Sequence, residues 1–300
     1  MSNNGVETKP SETAFFAALR RTIAHKEYGN EKWGPDYLAA SFLPAHYRFL
    51  LRFKRIRENT KSRLSTFMPG LNEYMIARTI HFDRLFGQAL ENGVPQIVLL
   101  GAGYDSRAYR FAHLNSGTQI FELDIAPTQN EKRKCLQQAR IAIPPQVTFV
   151  PIDFNKEALG DALGRAGYVA QNKTLFIWEG VSYYLDAASV DNTLAFISQD
   201  THENNVIAFD YTVTLTPENM ANFYGAEEFA QTMREQHAGE ELLFSIPEGG
   251  IESFLAQRKL AVVNHLDNNE MENAYLMRDD GALIGHVTGH FRFVSAASQI

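Results

Sequence analysis

Seven short apolar runs follow Pro95, and their spacing limits the folds that this chain can adopt. Helix-like or polar stretches separate the first five runs, whose starts are roughly 20 to 30 residues apart. Strands that alternate with helices at this spacing are joined by right-handed crossovers and form a parallel sheet. The sequence therefore predicts an α/β fold, and the last strand can be antiparallel because a short polar connection precedes it. The predicted strands span residues 97–100, 118–123, 147–152, 174–178, 205–209, 259–266 and 289–296.

The chain before Pro95 has a helical pattern without a convincing strand. Ser11 precedes an apolar stretch that has an acidic residue in its first turn, as at a helix N-terminus. Residues 73–92 repeat apolar side chains at helical spacing, and the pattern stops at Gly93.

These patterns divide the chain into two parts. We predict an N-terminal helical extension at 1–92, packed on a core at 93–300. Residues 211–250 interrupt the regular pattern of the core. We expect this segment to form a lid insertion over the ligand edge of the sheet, and an ordinary pair of surface helices is the alternative.

The overall charge argues against a dedicated nucleic-acid-binding protein. The chain has 28 basic and 35 acidic residues, a formal net charge of −7, whereas nucleic-acid-binding proteins usually carry a basic surface. Two local basic segments, 52–63 and 131–140, are interpreted as solvated helix faces. We therefore predict a small-molecule partner and no nucleic acid.

The sequence also favours a cytoplasmic protein. No apolar stretch approaches the ~20 residues that cross a bilayer, and the N-terminus lacks the pattern of a signal peptide. The single cysteine, Cys135, cannot form an internal disulfide, which suits a reducing compartment. We expect no membrane association, a plain thiol at Cys135, and a monomer or homodimer.

The first predicted strand runs directly into Gly101-Ala102-Gly103. Glycine lets the backbone turn sharply and approach a ligand without an intervening side chain. Ligands bind beyond the carboxyl ends of parallel strands, so this turn is a candidate site. A dinucleotide-binding motif would have Gly or Ala at position 106, where this chain has Ser106. By itself, the motif could also be a tight turn without a ligand.

An acidic residue ends the second strand. Asp124 lies 21 residues after Gly103, where a carboxylate can accept two hydrogen bonds from a ribose diol. A solvent-facing acid at a strand end is the alternative. Glu122 lies on the same face of the strand and could replace Asp124.

Two more acids follow the third and fourth strands. Asp153 could accept a hydrogen bond from an adenine amine, with Phe154 beside the ring, or it could cap the helix predicted to follow. Glu179 follows a fully apolar run and needs a partner, either a ligand ammonium or a neighbouring arginine. With Asp124, these acids fit a ligand that carries a diol, an adenine and an ammonium. S-Adenosylmethionine carries all three groups and is the predicted cofactor.

Four motifs occur in order over about residues 75 to 186. The first is a helical segment with Arg-Thr followed by Asp, here ARTIHFDRLF. The second is a strand that runs into Gly-Ala-Gly-x-Asp-Thr-Arg-x-x-Arg, here LLGAGYDSRAYRF, and the third is Phe-Glu-x-Asp-x-Pro with a downstream Lys, here FELDIAPTQNEKRK. The fourth is a strand that leads to Glu-Gly and then Tyr-Leu, here FIWEGVSYYL. The chain thus resembles the leucine carboxyl methyltransferase-like family of S-adenosylmethionine-dependent methyltransferases. Ser106 replaces the usual threonine, and Trp178 stands where smaller residues are common.

This resemblance implies a Rossmann-like class I methyltransferase fold, with a seven-stranded, mostly parallel sheet and an antiparallel last strand. It implies that Arg78 pairs with a carboxylate, with the methionyl one as first candidate, and that Glu179 lies near the methionyl ammonium. Asp105 and Arg107 are expected to brace the turn rather than contact substrate. The predicted cofactor-binding residues are Arg78, Gly101, Ala102, Gly103, Asp124, Ile125, Asp153, Phe154 and Glu179.

The expected activity is O-methylation of a small-molecule carboxylate or hydroxyl. A carboxylate acceptor needs no base, whereas a hydroxyl acceptor needs one. No catalytic residue is identified, although Tyr183 and Tyr184 are candidates for the wall of the acceptor site, and no metal site is predicted. The alternatives are a protein C-terminal carboxyl methyltransferase, a non-catalytic cofactor-binding protein of the same fold, and a nicotinamide-dependent oxidoreductase.

Overall fold

A computed structural model describes residues 10–29, 32–154, 156–199, 202–236 and 242–298, which contain eleven α-helices and seven strands. The helices are α1 (Glu12–Tyr28), α2 (Ala45–Leu50), α3 (Lys54–Phe67), α4 (Leu71–Glu91), α5 (Arg107–Arg110), α6 (Ala126–Gln138), α7 (Leu159–Arg165), α8 (Ala187–Gln199), α9 (Ala226–Gln236), α10 (Ile251–Ala256) and α11 (Asn268–Met271). The strands are β1 (Gln96–Leu100), β2 (Gln119–Asp124), β3 (Val147–Pro151), β4 (Thr174–Trp178), β5 (Val206–Thr212), β6 (Leu260–Leu266) and β7 (Phe291–Ser298).

The strands form one sheet in the order β3-β2-β1-β4-β5-β7-β6. β1 to β5 pair in parallel, and β7 lies antiparallel between β5 and β6. The strand order reverses at β1 and β4, and ligands bind at the carboxyl edge of such a switch point. The predicted seven-stranded class I methyltransferase sheet with an antiparallel last strand is confirmed.

The predicted strands agree with the observed ones in number and order, and the largest boundary difference is at β5. This strand was predicted to end at residue 209, but it continues to Thr212 and pairs with β7 over its whole length. The three added residues include Asp210, whose side chain is fully buried. A charged residue normally marks the end of a buried strand, but Asp210 continues β5 because its carboxylate has partners inside the protein.

β1 illustrates why the strands appear as continuous apolar runs. Ile97 and Leu99 belong to a hydrophobic cluster that contains residues of α1 and α4. Val98 and Leu100 belong to a second cluster that contains residues of α7, α8 and α10. A strand that is covered on both faces has no solvent-facing positions, so its apolar residues do not alternate with polar ones.

Four helices precede the sheet, as the sequence pattern predicts. The Ser11 side chain accepts a hydrogen bond from the Ala14 N–H at 3.1 Å and caps α1. The basic segment 52–63 lies mainly in α3, which has no buried residue, whereas α4 is mostly buried. No helix in the described ranges is long and apolar enough to cross a membrane. The boundary at residue 92 between an extension and a core stays a prediction.

The second basic segment, 131–140, differs from a solvated helix face because Lys132 is buried. Its Nζ lies 2.7 Å from Oε2 of Glu122 on β2, and both side chains are 1% exposed. Tyr109 donates a hydrogen bond to the other carboxylate oxygen at 3.1 Å. Burial raises the pKa of Glu122, and the Lys132 ammonium opposes this shift. The pair therefore fixes α6 against β2 in the core.

Replacing Lys132 with methionine should leave the Glu122 carboxylate buried without a counter-charge. Removal of one partner from a buried ion pair typically costs about 3–5 kcal/mol, and we expect Lys132→Met to lower the free energy of unfolding by about that amount. The double substitution Glu122→Gln and Lys132→Met should recover most of the loss, because no unpaired charge remains. Urea denaturation at neutral pH measures the free energy of unfolding of the single and the double variant.

Lys134→Met is the matched control on the same helix. Lys134 is exposed, and its ion pair with Glu131 lies in solvent, so the control should stay within about 1 kcal/mol of the wild type. Equal losses in Lys132→Met and Lys134→Met would show that the buried pair has no special role in stability.

Candidate active site

A cavity of about 1380 Å³ lies at the carboxyl ends of β1, β2 and β4. Residues of α1, α3, α4 and α9 form its other sides. A parallel sheet brings the residues that follow its strands to one edge, which explains why residues far apart in the chain meet here. The residues nominated from the sequence all line this cavity: Arg78, Gly101, Ala102, Gly103, Asp124, Ile125, Asp153, Phe154, Glu179, Tyr183 and Tyr184.

Gly101 and Gly103 let the chain turn directly after β1. Their φ angles are +69° and +41°, in the left-handed region that favours glycine. A Cβ on Gly101 would lie 2.4 Å from a methyl carbon of Val181, so the turn has no room for a side chain there. The N–H of Ala102, between the two glycines, donates a hydrogen bond to the Leu123 carbonyl at 2.7 Å and ties the turn to β2.

Asp124 ends β2 and faces the glycine turn. Its carboxylate oxygens accept hydrogen bonds from the N–H groups of Gly103 and Ile125, both at 2.7 Å. Burial raises the pKa of Asp124, and these backbone donors act against the shift. The Thr128 side chain also hydrogen-bonds to Asp124. A carboxylate can accept about four hydrogen bonds, so Asp124 keeps acceptor capacity for a ligand. The alternative candidate, Glu122, does not line the cavity because it pairs with Lys132 in the core.

Asp153 and Phe154 follow β3 at the same edge. The interpretation of Asp153 as a helix cap is wrong, because α7 begins only at Leu159 and its N-cap is Ala158. The Asp153 carboxylate instead lies at the cavity wall, 3.5 Å from the exposed Lys156 ammonium.

Glu179 lies between two arginines. Arg78 Nε is 2.9 Å from one carboxylate oxygen, and the Arg107 guanidinium donates a hydrogen bond to the other. Of the two partners that the sequence left open for Glu179, a ligand ammonium and a neighbouring arginine, the structure supplies the arginine. The carboxylate nevertheless lines the cavity and is 11% exposed, which leaves it within reach of a ligand.

Asp105 and Arg107 brace the glycine turn, as the resemblance implied. Arg107 lies 2.5 Å from Asp105 and 2.9 Å from Asp83 of α4. Asp83 also accepts two hydrogen bonds from Arg110, both at 2.7 Å. Burial acts to raise the pKa of Asp105, but Arg107 and further donors outweigh it and hold the pKa below its ordinary value. The cluster fixes α4 against the turn.

Asp210 on β5 is a residue of this site that the sequence analysis missed. Arg78 Nη1 lies 3.3 Å from Asp210 Oδ2, and Tyr74 donates a hydrogen bond to the same oxygen. The Gly180 N–H donates to the other oxygen at 2.6 Å. Burial raises the pKa values of Asp210, Tyr74 and Tyr183, so both phenols stay protonated at neutral pH.

Arg20 on α1 is a second residue that the sequence analysis missed. Five arginines line the cavity, and within the described ranges Arg20 is the one without a carboxylate at ion-pair distance. It donates a hydrogen bond to Asn72 Oδ1 at 3.0 Å. Burial and the neighbouring Arg78 lower the pKa of Arg20 to about 10, so it is charged at neutral pH. It is therefore available to an anionic ligand group.

Residues 211–250, predicted as a lid or a surface helix pair, contribute α9 to the cavity wall. Phe229, Met233 and Leu243 line the cavity, and Thr232 Oγ1 donates a hydrogen bond to the Phe67 carbonyl of α3 at 2.7 Å. Residues 237–241 lie outside the described residues. A lid role for this segment stays a prediction.

No described histidine lines the cavity. His237 lies outside the described residues. Among the residues that the structure describes, no group of three or more His, Cys, Asp or Glu side chains could hold a metal ion. The described wall therefore combines carboxylates, arginines and tyrosines at the sheet edge with apolar side chains from the helices.

Comparison with known proteins places the chain in a family. The family model described as leucine carboxyl methyltransferase matches residues 14–198. YktD of Bacillus subtilis, provisionally named an S-adenosyl-L-methionine-dependent methyltransferase, is 28% identical over 72% of this chain and 70% of its own length. A similarly named protein of Frankia alni is 38% identical over 40% of this chain and 41% of its own length, so the match spans less than half of that relative.

Two solved structures share the fold over nearly the whole chain. A provisionally named methyltransferase from Thermobifida fusca has a TM-score of 0.58 at 14% identity, with 98% of this chain and 96% of that chain covered. A DUF574-family protein from Streptomyces avermitilis has a TM-score of 0.59 at 13% identity, with 97% and 99% covered. At these identities the likeness concerns the fold alone. Because the family model matches more than half of the chain, the protein belongs to the leucine carboxyl methyltransferase family, as its motifs predicted.

Proposed function

We propose that this S-adenosylmethionine-dependent methyltransferase transfers the methyl group to a carboxylate oxygen of a small molecule. The observation that carries the proposal is the wall of the cavity, which has polar groups suited to the cofactor at the sheet edge but no described histidine to act as a base. The nicotinamide-dependent alternative is set aside because the chain belongs to a methyltransferase family.

The residues at the strand ends would hold the adenosine part of the cofactor. Asp124 would accept hydrogen bonds from the ribose hydroxyls, since its carboxylate keeps acceptor capacity beyond its protein donors. Asp153 would accept a hydrogen bond from the adenine amine, and Phe154 would pack beside the ring. Ala102 and Ile125 would form the adjacent walls.

The methionyl part of the cofactor carries an ammonium and a carboxylate. Glu179 would attract the ammonium, and Arg20 would bind the carboxylate through charge-assisted hydrogen bonds. This proposal refines the prediction for Arg78, which already bonds to Glu179 and Asp210. Arg78 would then act mainly by holding Glu179 in place and by adding positive charge near the methionyl carboxylate.

Methyl transfer from a sulfonium is an in-line displacement with a neutral leaving group, so the protein chiefly has to position the acceptor and exclude water. A carboxylate acceptor is ionised at neutral pH, whereas a hydroxyl acceptor needs a base within hydrogen-bond reach. Of the seven carboxylates that line the cavity, Asp36, Asp105 and Glu179 are held by arginines. This wall suits an acceptor that arrives already ionised.

Tyr183 and Tyr184 are proposed to orient the acceptor rather than to deprotonate it. Burial holds the pKa of Tyr183 well above its ordinary value, so its hydroxyl is a donor at neutral pH. The hydroxyl accepts a long hydrogen bond from Arg78, at 3.3 Å, and donates a long one to Asp210, at 3.4 Å. A ligand carboxylate oxygen could replace Asp210 as the acceptor. The adjacent Tyr184 ring, 4.9 Å away, would form the neighbouring wall.

A small-molecule acceptor suits a cavity walled by α1, α3, α4 and α9. Residues 211–250 would serve as a lid, because α9 in this segment bonds to α3 at the cavity wall. The family name supplies the second candidate, a protein C-terminal carboxylate. To place its C-terminal carboxylate in the cavity, a protein acceptor would have to thread the residues before its C-terminus between these helices.

Arg20→Met should weaken the binding of S-adenosylhomocysteine about 10- to 100-fold, because a charge-assisted hydrogen bond is worth about 1.5–3 kcal/mol. It should leave the affinity for 5′-methylthioadenosine unchanged, because this nucleoside lacks the methionyl carboxylate. Calorimetry with both ligands measures the difference.

Arg133→Met is the matched control for this substitution. Arg133 lies on α6 over the Phe149 ring and does not line the cavity, so both ligands should bind as they do to the wild type. If Arg20→Met weakened both ligands equally, Arg20 would support the shape of the site rather than bind the carboxylate.

Incubation with methyl-labelled S-adenosylmethionine and a cell extract tests the proposed reaction. After separation by size, the label should appear in the small-molecule fraction, and mild alkali should release it because methyl esters hydrolyse. Label on macromolecules alone would favour the protein C-terminal candidate, and alkali-stable label would rule out a carboxylate acceptor. Binding of S-adenosylhomocysteine without any transfer would indicate a non-catalytic protein.

His237→Ala adds a control in the same assay. A carboxylate acceptor needs no general base, so this variant should keep the wild-type rate of transfer. General bases contribute roughly 100-fold or more to rates, and a loss of that size would point to a hydroxyl acceptor.

A further inference from the structure

We propose that the methyl acceptor carries an extended apolar chain, which is bound beside α3 and α9. This inference rests on the proposed function, since it concerns the acceptor of the same site. We name the region that binds the chain the acceptor compartment. It is lined by Leu64, Phe67, Met68, Leu71, Phe229 and Met233.

The cavity is larger than one ligand requires. Its volume of about 1380 Å³ exceeds the roughly 300–1,000 Å³ of pockets that hold one drug-sized molecule. The cofactor would occupy the part beside β1, β2 and β4, where the glycine turn and the strand-end acids lie. The part beside α3 and α9 remains for the acceptor.

The side chains of the acceptor compartment are apolar but incompletely covered by protein. Phe67 is 48% exposed; of the other five side chains, Phe229 is buried and the remaining four are half-buried. An apolar ligand that covers such a surface removes it from water, which favours binding.

Two polar side chains next to the acceptor compartment, Thr232 and Asn72, already have hydrogen-bond partners in the protein. Thr232 Oγ1 donates to the Phe67 carbonyl at 2.7 Å. Asn72 accepts a hydrogen bond from Arg20 and donates one to Ser65 Oγ, each at 3.0 Å. A polar chain that entered here would lose its hydrogen bonds to water with few replacements, and this favours an apolar chain.

Aromatic rings connect the acceptor compartment to the proposed position of the reacting carboxylate. The Phe229 ring is 5.7 Å from Phe291, which is 5.6 Å from Tyr183. Met68 and Met233 add flexible, unbranched side chains that adapt to ligands of irregular shape. A carboxylate at Tyr183 could therefore extend its apolar chain along Phe291 and Phe229 toward α3.

Binding of saturated fatty acids to the protein loaded with S-adenosylhomocysteine tests this inference. Calorimetry should show dodecanoate binding at least about tenfold more tightly than hexanoate, because each buried methylene contributes favourably. Leu64→Trp and Met233→Trp each fill the acceptor compartment. Both should weaken dodecanoate binding at least about tenfold and leave the affinity for S-adenosylhomocysteine unchanged.

Leu50→Trp is the matched control, because Leu50 is exposed on α2 and does not line the cavity. It should bind dodecanoate as the wild type does. Equal affinities for dodecanoate and hexanoate would overturn the inference, and this wild-type comparison holds even if a variant misfolds. Dodecanoate binding that is unchanged in both folded cavity variants would overturn it as well.

The outcome of this test is distinct from that of the proposed function. Failure of S-adenosylhomocysteine to bind would refute the cofactor site and the proposed reaction. Tight S-adenosylhomocysteine binding without preference for dodecanoate would refute only the acceptor compartment.

Discussion

The site depends above all on the pairing of the Glu179 carboxylate with two arginines, Arg78 and Arg107. The three residues come from separate elements, because Glu179 follows β4, Arg78 lies on α4 and Arg107 begins α5 after the glycine turn. Charges withdrawn from water are costly unless they are paired and hydrogen-bonded. Their pairing therefore holds α4, the turn and the end of β4 in one arrangement. Asp83 and Asp210 extend the cluster and balance its positive charge.

This cluster explains how the arginines of one cavity can have different roles. Arg78 and Arg107 hold protein carboxylates and position the residues around them. Arg20 has no carboxylate at ion-pair distance among the described residues and is proposed to bind the ligand. Asp124 is likewise positioned by backbone donors and Thr128, and its carboxylate keeps acceptor capacity for a ligand. In such a site, catalysis would come from holding the methyl group and an ionised acceptor in line, without a general base.

The sheet and most of the candidate site were predictable from the sequence because their signals are local. Strand spacing indicated the parallel sheet, and acids at strand ends, such as Asp124 and Glu179, indicated the sheet edge where the cavity lies. Arg20, Asp210 and the burial of Lys132 beside Glu122 were not identified, because their significance depends on partners distant in the chain. Lys132 belongs to a basic segment that resembles a solvated surface, and Asp210 lies where a buried strand would normally end. Only the folded chain shows which charges are paired.

A crystal structure of the protein with S-adenosylhomocysteine tests the central claim most directly, namely that this cavity holds the cofactor and leaves an apolar compartment for the acceptor. We expect the ribose hydroxyls on Asp124, the methionyl carboxylate on Arg20, and the sulfur facing Tyr183 with the acceptor compartment still open. A cofactor bound elsewhere, or one whose methionyl group fills the space beside α3 and α9, would contradict the claim.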